Sequence, residues 1–234
     1  MKWTDLKSRS YCPYSQQESA AIIKGASGIF YAGVRIENVS FPLTITAIQA
    51  AIFICISEGD IPKKLILPSD EEMELLNHWV EEFSLEVEVN NDLTDIDLFE
   101  SRTLLTTSIE SELKSLLPKA SVMHSQFPVS CLLQLNEGFV ESVNIEVKNW
   151  QLGLCAERIA IAKAYASGHT EFKSLYVHTE HGEFSSPCGA CRQVIYEHLP
   201  FHDIHLYHSN GTRSKLLTVD LLPYHFKSNF LSGK

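Results

Sequence analysis

The sequence predicts an α/β protein made of two tandem α/β/α layered domains, each a central mixed sheet covered by helices. Three observations predict it: an internal repeat, strand-like and helix-like segments that alternate within each copy, and a polar stretch between the copies. Residues 35–48 line up without gaps on residues 144–157, so Arg35 falls opposite Asn144, Thr46 opposite Cys155 and Ile48 opposite Glu157. Further on, Ser69 falls opposite Cys188 and Glu72 opposite Cys191, each pair following an apolar strand-like run and preceding a helical one.

The second copy shows the order of elements. Residues 108–117 read as its opening helix. Residues 129–135 and 139–145 read as strands joined by the turn-forming Asn136, Glu137 and Gly138. Residues 152–167 are alanine-rich with apolar side chains at helical spacing, and Gly168 stops that helix. A strand at 174–178, a helix over 188–198 halted by Pro200, and a strand near 204–207 complete the unit. The first copy repeats the order, and its helix near 47–56 is apolar almost all round, which suits burial between domains. Asn90, Asn91, Asp92 and Asp95 read as a linker, so one domain is expected over 1–100 and the other over 101–234.

With 234 residues the chain can bury enough apolar surface for two small domains. A net charge of -10 works against a phosphate backbone, so nucleic acid is disfavoured as a partner. Neither a charged-then-apolar leader nor a bilayer-length apolar run is visible, so no membrane is expected and the cytoplasm is the expected compartment. Cys12, Cys55 and Cys131 are isolated, whereas Cys155, Cys188 and Cys191 lie beside small and charged residues. In a reducing compartment that grouping points to metal or catalysis before disulfides. His178, His181, His205 and His208 show no ligand spacing with a carboxylate partner and are expected on the surface.

Cys188 and Cys191 sit three apart at the start of a helix, so both sulfurs leave one side of its first turn. Alone, such a pair reads as a redox couple, half of a structural zinc site, or part of a catalytic one. Cys155, at the start of another helix, adds a third thiolate with no fourth at ligand spacing. Three ligands and one open position is the arrangement of catalytic zinc. Glu157 shares the first turn with Cys155 and reads either as a general acid/base or as a helix-start glutamate favoured by the macrodipole. Arg158 reads either as a donor to a ligand sulfur or as a solvated helix residue.

Cys155-Ala156-Glu157, together with Pro187-Cys188-Gly189-Ala190-Cys191-Arg192-Gln193, resembles the signature of the cytidine deaminases. The resemblance runs along nearly the whole chain and implies two cytidine-deaminase-like domains. It implies Zn2+, one per chain, on Cys155, Cys188 and Cys191, with Glu157 as the proton carrier and with Arg158 and Gln193 behind the ligands. Phe127 would lie against the pyrimidine, Asn144 and Glu146 would hold the ribose, and the backbone at Ala156 would orient the exocyclic amine. Phe226, in the Leu221-Leu222-Pro223 ending, would cover a neighbouring subunit's site. With Arg35, Thr46, Ile48, Ser69 and Glu72 at the matching positions, the first copy cannot hold that metal. The implied activity is hydrolytic deamination of cytidine and deoxycytidine by a homodimer with a four-domain body. Another aminopyrimidine nucleoside, or a silent zinc-stabilised scaffold that binds nucleosides, are the alternatives.

Overall fold

A computed structural model of the chain describes residues 1–69, 73–99 and 108–223. They cluster into two compact units. Of the described residues, one takes in Met1–Ile36, those of 45–99 and Ala162–Thr170, the other Glu37–Thr44, 108–161 and 171–223.

The first unit runs α1 (Trp3–Lys7), β1 (Ala20–Gly25), β2 (Phe30–Val34), α2 (Ala47–Ser57), β3 (Pro62–Leu67), α3 (Leu76–Phe83) and β4 (Glu86–Val89). Its sheet has the order β2-β1-β3-β4, with β1 antiparallel to both neighbours and β3 parallel to β4. Four consecutive residues of β1, Ala20 to Ile23, are buried, which requires cover on both faces of the sheet. Gly33 brings α2 onto that sheet: a Cβ there would lie 2.2 Å from the Ala51 nitrogen. The apolar surround of α2 is matched by burial of Ile48, Ile52, Phe53 and Ile54 alike. Phe53 in turn meets the fully buried Trp79 edge-on, at 5.6 Å between ring centroids.

The second unit continues with α4 (Ile109–Leu116), β5 (Val129–Gln134), β6 (Phe139–Val143), α5 (Ala156–Ala166), β7 (Ser174–Thr179), α6 (Gly189–His198), β8 (Asp203–Tyr207) and β9 (Arg213–Leu217). Helix α5 begins in this unit, and its residues from Ala162 cluster with the first. The sheet order is β6-β5-β7-β8-β9, and its first four strands pair with the same directions as their counterparts in the first unit. Small details recur: Ile36 bridges Ile45 and Ile145 bridges Leu154, and Gln16 and Gln126 both take left-handed backbone. The fold is α/β, two mixed sheets with helices, repeated in tandem.

Four expectations are modified. Helix α5 starts at Ala156 and not near 152, because Leu154 is drawn into an extended bridge with Ile145. Strand β9 went unforeseen, since Arg213 and Lys215 alternate with half-exposed residues on a sheet edge. The polar stretch after Asn90 is anchored, with the Trp3 Nε1–H donating to the Asn90 carbonyl at 2.7 Å and Leu93 buried. His178 and His208 are buried, at 4% and 5% exposure, because each hydrogen-bonds inside the second unit. His181 remains exposed.

Candidate active site

Each thiol stands where a helix begins. After β6 the chain passes through a single helical turn at Trp150–Leu152, and Cys155 arrives at the start of α5, its carbonyl accepting the Arg158 and Ile159 N–H groups at 3.1 and 3.2 Å. Cys188 is the extended residue capping α6, and Cys191 sits in that helix's first turn. The three sulfurs all lie within 4.8 Å of one another, with 3.7 Å between those of Cys155 and Cys188. Two thiolates at tetrahedral positions about 2.3 Å from an ion stand about 3.8 Å apart, so the donor set fits zinc. Cys191 is buried, Cys155 half-buried and Cys188 exposed, which leaves one side of the cluster open. Hydrogen bonds from Cys155 and Cys191 hold the Cys188 thiol far below its ordinary value and push their own upward. No other cluster of this kind occurs among the described residues.

Glu157 is 3% exposed, and its Oε2 is buried without a hydrogen-bond partner. Burial pushes its carboxyl up to about 7. A buried carboxyl that meets Cys191 and its own backbone N–H, and leaves one oxygen unpartnered beside the sulfurs, is placed to take or give a proton. Arg158 is not on a solvated face: it is 9% exposed, its Nη2 donates to the Leu43 carbonyl at 2.9 Å, and its buried Nε has no partner.

Cys155, Cys188, Glu157 and Arg158 line a cavity of about 570 Å³ together with Phe127, Asn144 and Glu146. The left-handed turn at Gln126 precedes Phe127, whose exposed ring meets His181 at 6.2 Å. The Asn144 amide is already bonded twice, accepting from Val129 N–H at 2.8 Å and donating to the Phe127 carbonyl at 3.0 Å. Glu146 Oε2 accepts backbone N–H groups of His124 and Ser125 at 2.7 and 3.1 Å. Burial opposes its ionisation, but the hydrogen bonds from Ser125 and His124 hold its carboxyl below the usual value. Ala156 is fully buried, does not line the cavity, and gives its carbonyl to Ser142 Oγ at 2.7 Å. Gln193 is half-buried on α6 and also lies outside the lining. Phe226 lies outside the described residues.

Pro42 and Leu43, which the sequence reading left out, also line the cavity, as does Trp150. The repeat held the signal, since Phe41-Pro42-Leu43 falls opposite Trp150-Gln151-Leu152 and both segments form single helical turns. In the first unit a cavity of about 280 Å³ lies among Arg35, Thr46, Ile48 and Ser69. Arg35 there pairs with Glu74 at 2.6 Å, and Thr46 caps α2 by accepting the Gln49 N–H. Glu72 is outside the described residues.

Comparison with known proteins agrees with this geometry. Two family models, each described as the cytidine and deoxycytidylate deaminase zinc-binding region, match residues 109–202 and 4–66. A cytidine deaminase of Sporosarcina psychrophila is 35% identical over 127 residues, 52% of this chain and 91% of that protein. One of Halalkalibacterium halodurans is 35% identical over 106 residues, 44% of this chain and 80% of its own. The crystal structure of a Burkholderia pseudomallei cytidine deaminase covers 53% of this chain and 100% of its own, at 32% identity and a TM-score of 0.49. The chain, with its two tandem repeats and one cluster of three thiols beside a buried glutamate, belongs to the cytidine deaminase family.

Proposed function

We propose that the protein hydrolyses cytidine and deoxycytidine to the corresponding uridines and ammonia, with Cys155, Cys188 and Cys191 holding Zn2+. When bound, zinc supplies the Lewis acidity that lets a water act as nucleophile near neutral pH. The observation that carries the reading is the unpartnered Oε2 of Glu157, buried beside the three sulfurs in a cavity of nucleoside size.

Glu157 takes a proton from the attacking water and passes it to ring N3 as the C4–O bond forms. It then moves the proton left on the new C4 hydroxyl to the departing N4. The C4–N4 bond breaks, ammonia leaves, and a C4 carbonyl remains. A carboxyl near 7 suits both directions of this transfer. Phe127 covers one face of the pyrimidine, while the remaining lone pair and N–H of Asn144 and the second oxygen of Glu146 receive the sugar hydroxyls. Groups built to bond a sugar discriminate against the free base, because its absence leaves them unpaired.

No helix among the described residues is long and apolar enough to cross a membrane. We assign the working protein to the cytoplasm and to a homodimer with two active sites. An ultraviolet assay of purified protein against cytidine, deoxycytidine, deoxycytidylate and cytosine tests the activity, and light scattering tests the assembly. Turnover of both nucleosides with little on cytosine is expected. Absence of turnover on every compound by zinc-loaded protein would leave the scaffold reading standing.

A further inference from the structure

Between β7 and α6 the chain carries Ser186 and Cys188 to the cavity without regular structure, so its polar groups must find partners elsewhere. Ser185 is 0% exposed at the centre of this loop. Its N–H donates to His208 Nδ1 at 3.0 Å, and its hydroxyl donates to the Tyr207 carbonyl at 2.7 Å. That carbonyl also accepts from His178 Nδ1 at 2.9 Å. The single hydroxyl proton of Thr179, on the last residue of β7, faces both Ser185 Oγ and the His181 carbonyl at 2.8 Å. On the far side, His208 Nε2 lies 2.8 Å from Ser214 Oγ of β9, and the Phe184 ring stacks on the imidazole at 4.6 Å.

The proton positions follow from the donors. A backbone N–H only donates, so His208 Nδ1 accepts, the imidazole is neutral, and its one proton is on Nε2 facing Ser214. The loop's second anchor is of another kind. Arg192 reaches back from α6 to Ser186 Oγ at 2.7 Å and to the Pro187 carbonyl at 2.9 Å, tying the loop to the helix it introduces. His208 ties the loop to the sheet through the turn between β8 and β9, where its own N–H meets the Thr212 carbonyl at 2.9 Å.

We propose that His208 is a positioning residue for the deaminase site: as a neutral acceptor it clamps Ser185, and through it fixes Ser186 at the cavity wall and the direction of the Cys188 sulfur. Thr179 and Ser185 complete the clamp. This inference rests on the deaminase reading. Unlike Glu157 or the cysteines, His208 touches neither the substrate cavity nor a thiol.

The test uses the full, zinc-loaded chain with two substitutions, His208→Leu, which cannot accept the Ser185 N–H, and His208→Asn, whose Oδ1 can. His208→Leu is expected to keep one zinc per chain, to lose roughly tenfold in kcat with KM moved less than about twofold, and to release zinc to a chromogenic chelator roughly tenfold faster. His208→Asn is expected to restore most of both. If the two variants lose thermal stability alike while kcat and zinc release stay at wild-type values, or if Asn is no better than Leu, the clamp is wrong. Should His208→Leu fail to fold, Thr179→Val is read instead. Its shape is conserved, so slower turnover with faster zinc release supports the clamp and unchanged values overturn it. Zinc release does not depend on the nucleoside, so a wild type inactive on cytidine would sink the proposed function while the chelator still decides the role of His208.

Discussion

Asn144 grips both sides of Pro128, donating to the Phe127 carbonyl at 3.0 Å and accepting from the Val129 N–H at 2.8 Å. One side chain thus holds the segment that carries Phe127 and keeps one donor and one acceptor for the sugar that we propose it binds. Asn144→Ala is expected to raise KM for cytidine roughly tenfold to a hundredfold, the worth of one or two buried hydrogen bonds. Steady-state kinetics beside a thermal melt checks this. A variant that simply unfolds would mark Asn144 as structural.

Glu157→Gln keeps the volume of the carboxyl and removes its proton traffic. We expect zinc to remain at one per chain by metal analysis, kcat to fall by about 10²–10⁴-fold, and stability to hold or rise, since a buried oxygen without a partner is costly in the folded state. Turnover within tenfold of wild type would displace Glu157 from its role.

Among the described residues only the second unit gathers three thiols, so metal analysis should find one zinc per chain, and Cys191→Ala should find none. Loss of an ion present at a thousandfold excess over its dissociation constant removes about 4 kcal/mol of stability. Denaturant melts with and without added zinc should therefore separate for the wild type and coincide for the variant. Two ions per chain would contradict the loss of the site in the first repeat.

Burial pushes the Glu157 carboxyl up to about 7 and the His198 imidazole down to about 3. Their effects on stability have opposite signs. The raised carboxyl contributes stability that is complete below 4.5 and lost as pH rises through 7. The depressed imidazole contributes stability that is complete above 6.5 and lost as pH falls toward 3. Each limb has a slope of at most about 1.4 kcal/mol per pH unit. In metal-stripped protein the two oppose each other between about 4.5 and 6.5, so Glu157→Gln should show stability rising with pH there and His198→Gln should show it falling. Urea midpoints at half-unit steps measure this, and parallel curves for the three proteins would show that neither group is linked to folding.

Gly33→Ala would place a Cβ 2.2 Å from the Ala51 nitrogen and 2.3 Å from the Ala47 carbonyl oxygen. A helix backbone cannot step aside as a side chain does. The cost should be about 3 kcal/mol, seen as a lower denaturant midpoint with an unchanged slope. A loss under 1 kcal/mol would mean that α2 slides on the sheet more freely than its packing implies.

The thiol cluster and Glu157 were legible because they depend on local geometry. Cys155 and Cys188 both stand at helix starts, Glu157 and Cys191 follow within one turn, and spacing alone put them on shared faces. The order of elements along the chain was legible through the repeat. What escaped depends on contacts between residues far apart in the chain. A histidine on a strand or just beyond its end does not declare its face, so His178 and His208 read as surface until Tyr207 and Ser185 supplied their partners. Glu146 is held by the N–H groups of His124 and Ser125, which carry no side-chain signature. Nor could composition show that Asn90 would receive the indole of Trp3.

The segment Glu37–Thr44 comes from the first repeat, yet it clusters with the unit that holds the cysteines, and its Pro42 and Leu43 face the cavity. For protein engineering this separates two kinds of residue that usually share one short stretch of sequence. The thiols and the glutamate proposed for the reaction lie at the starts of α5 and α6, whereas part of the cavity wall is encoded more than a hundred positions earlier. A library confined to Phe41, Pro42 and Leu43 could therefore reshape substrate choice while every thiol, and the glutamate beside them, stays as it is.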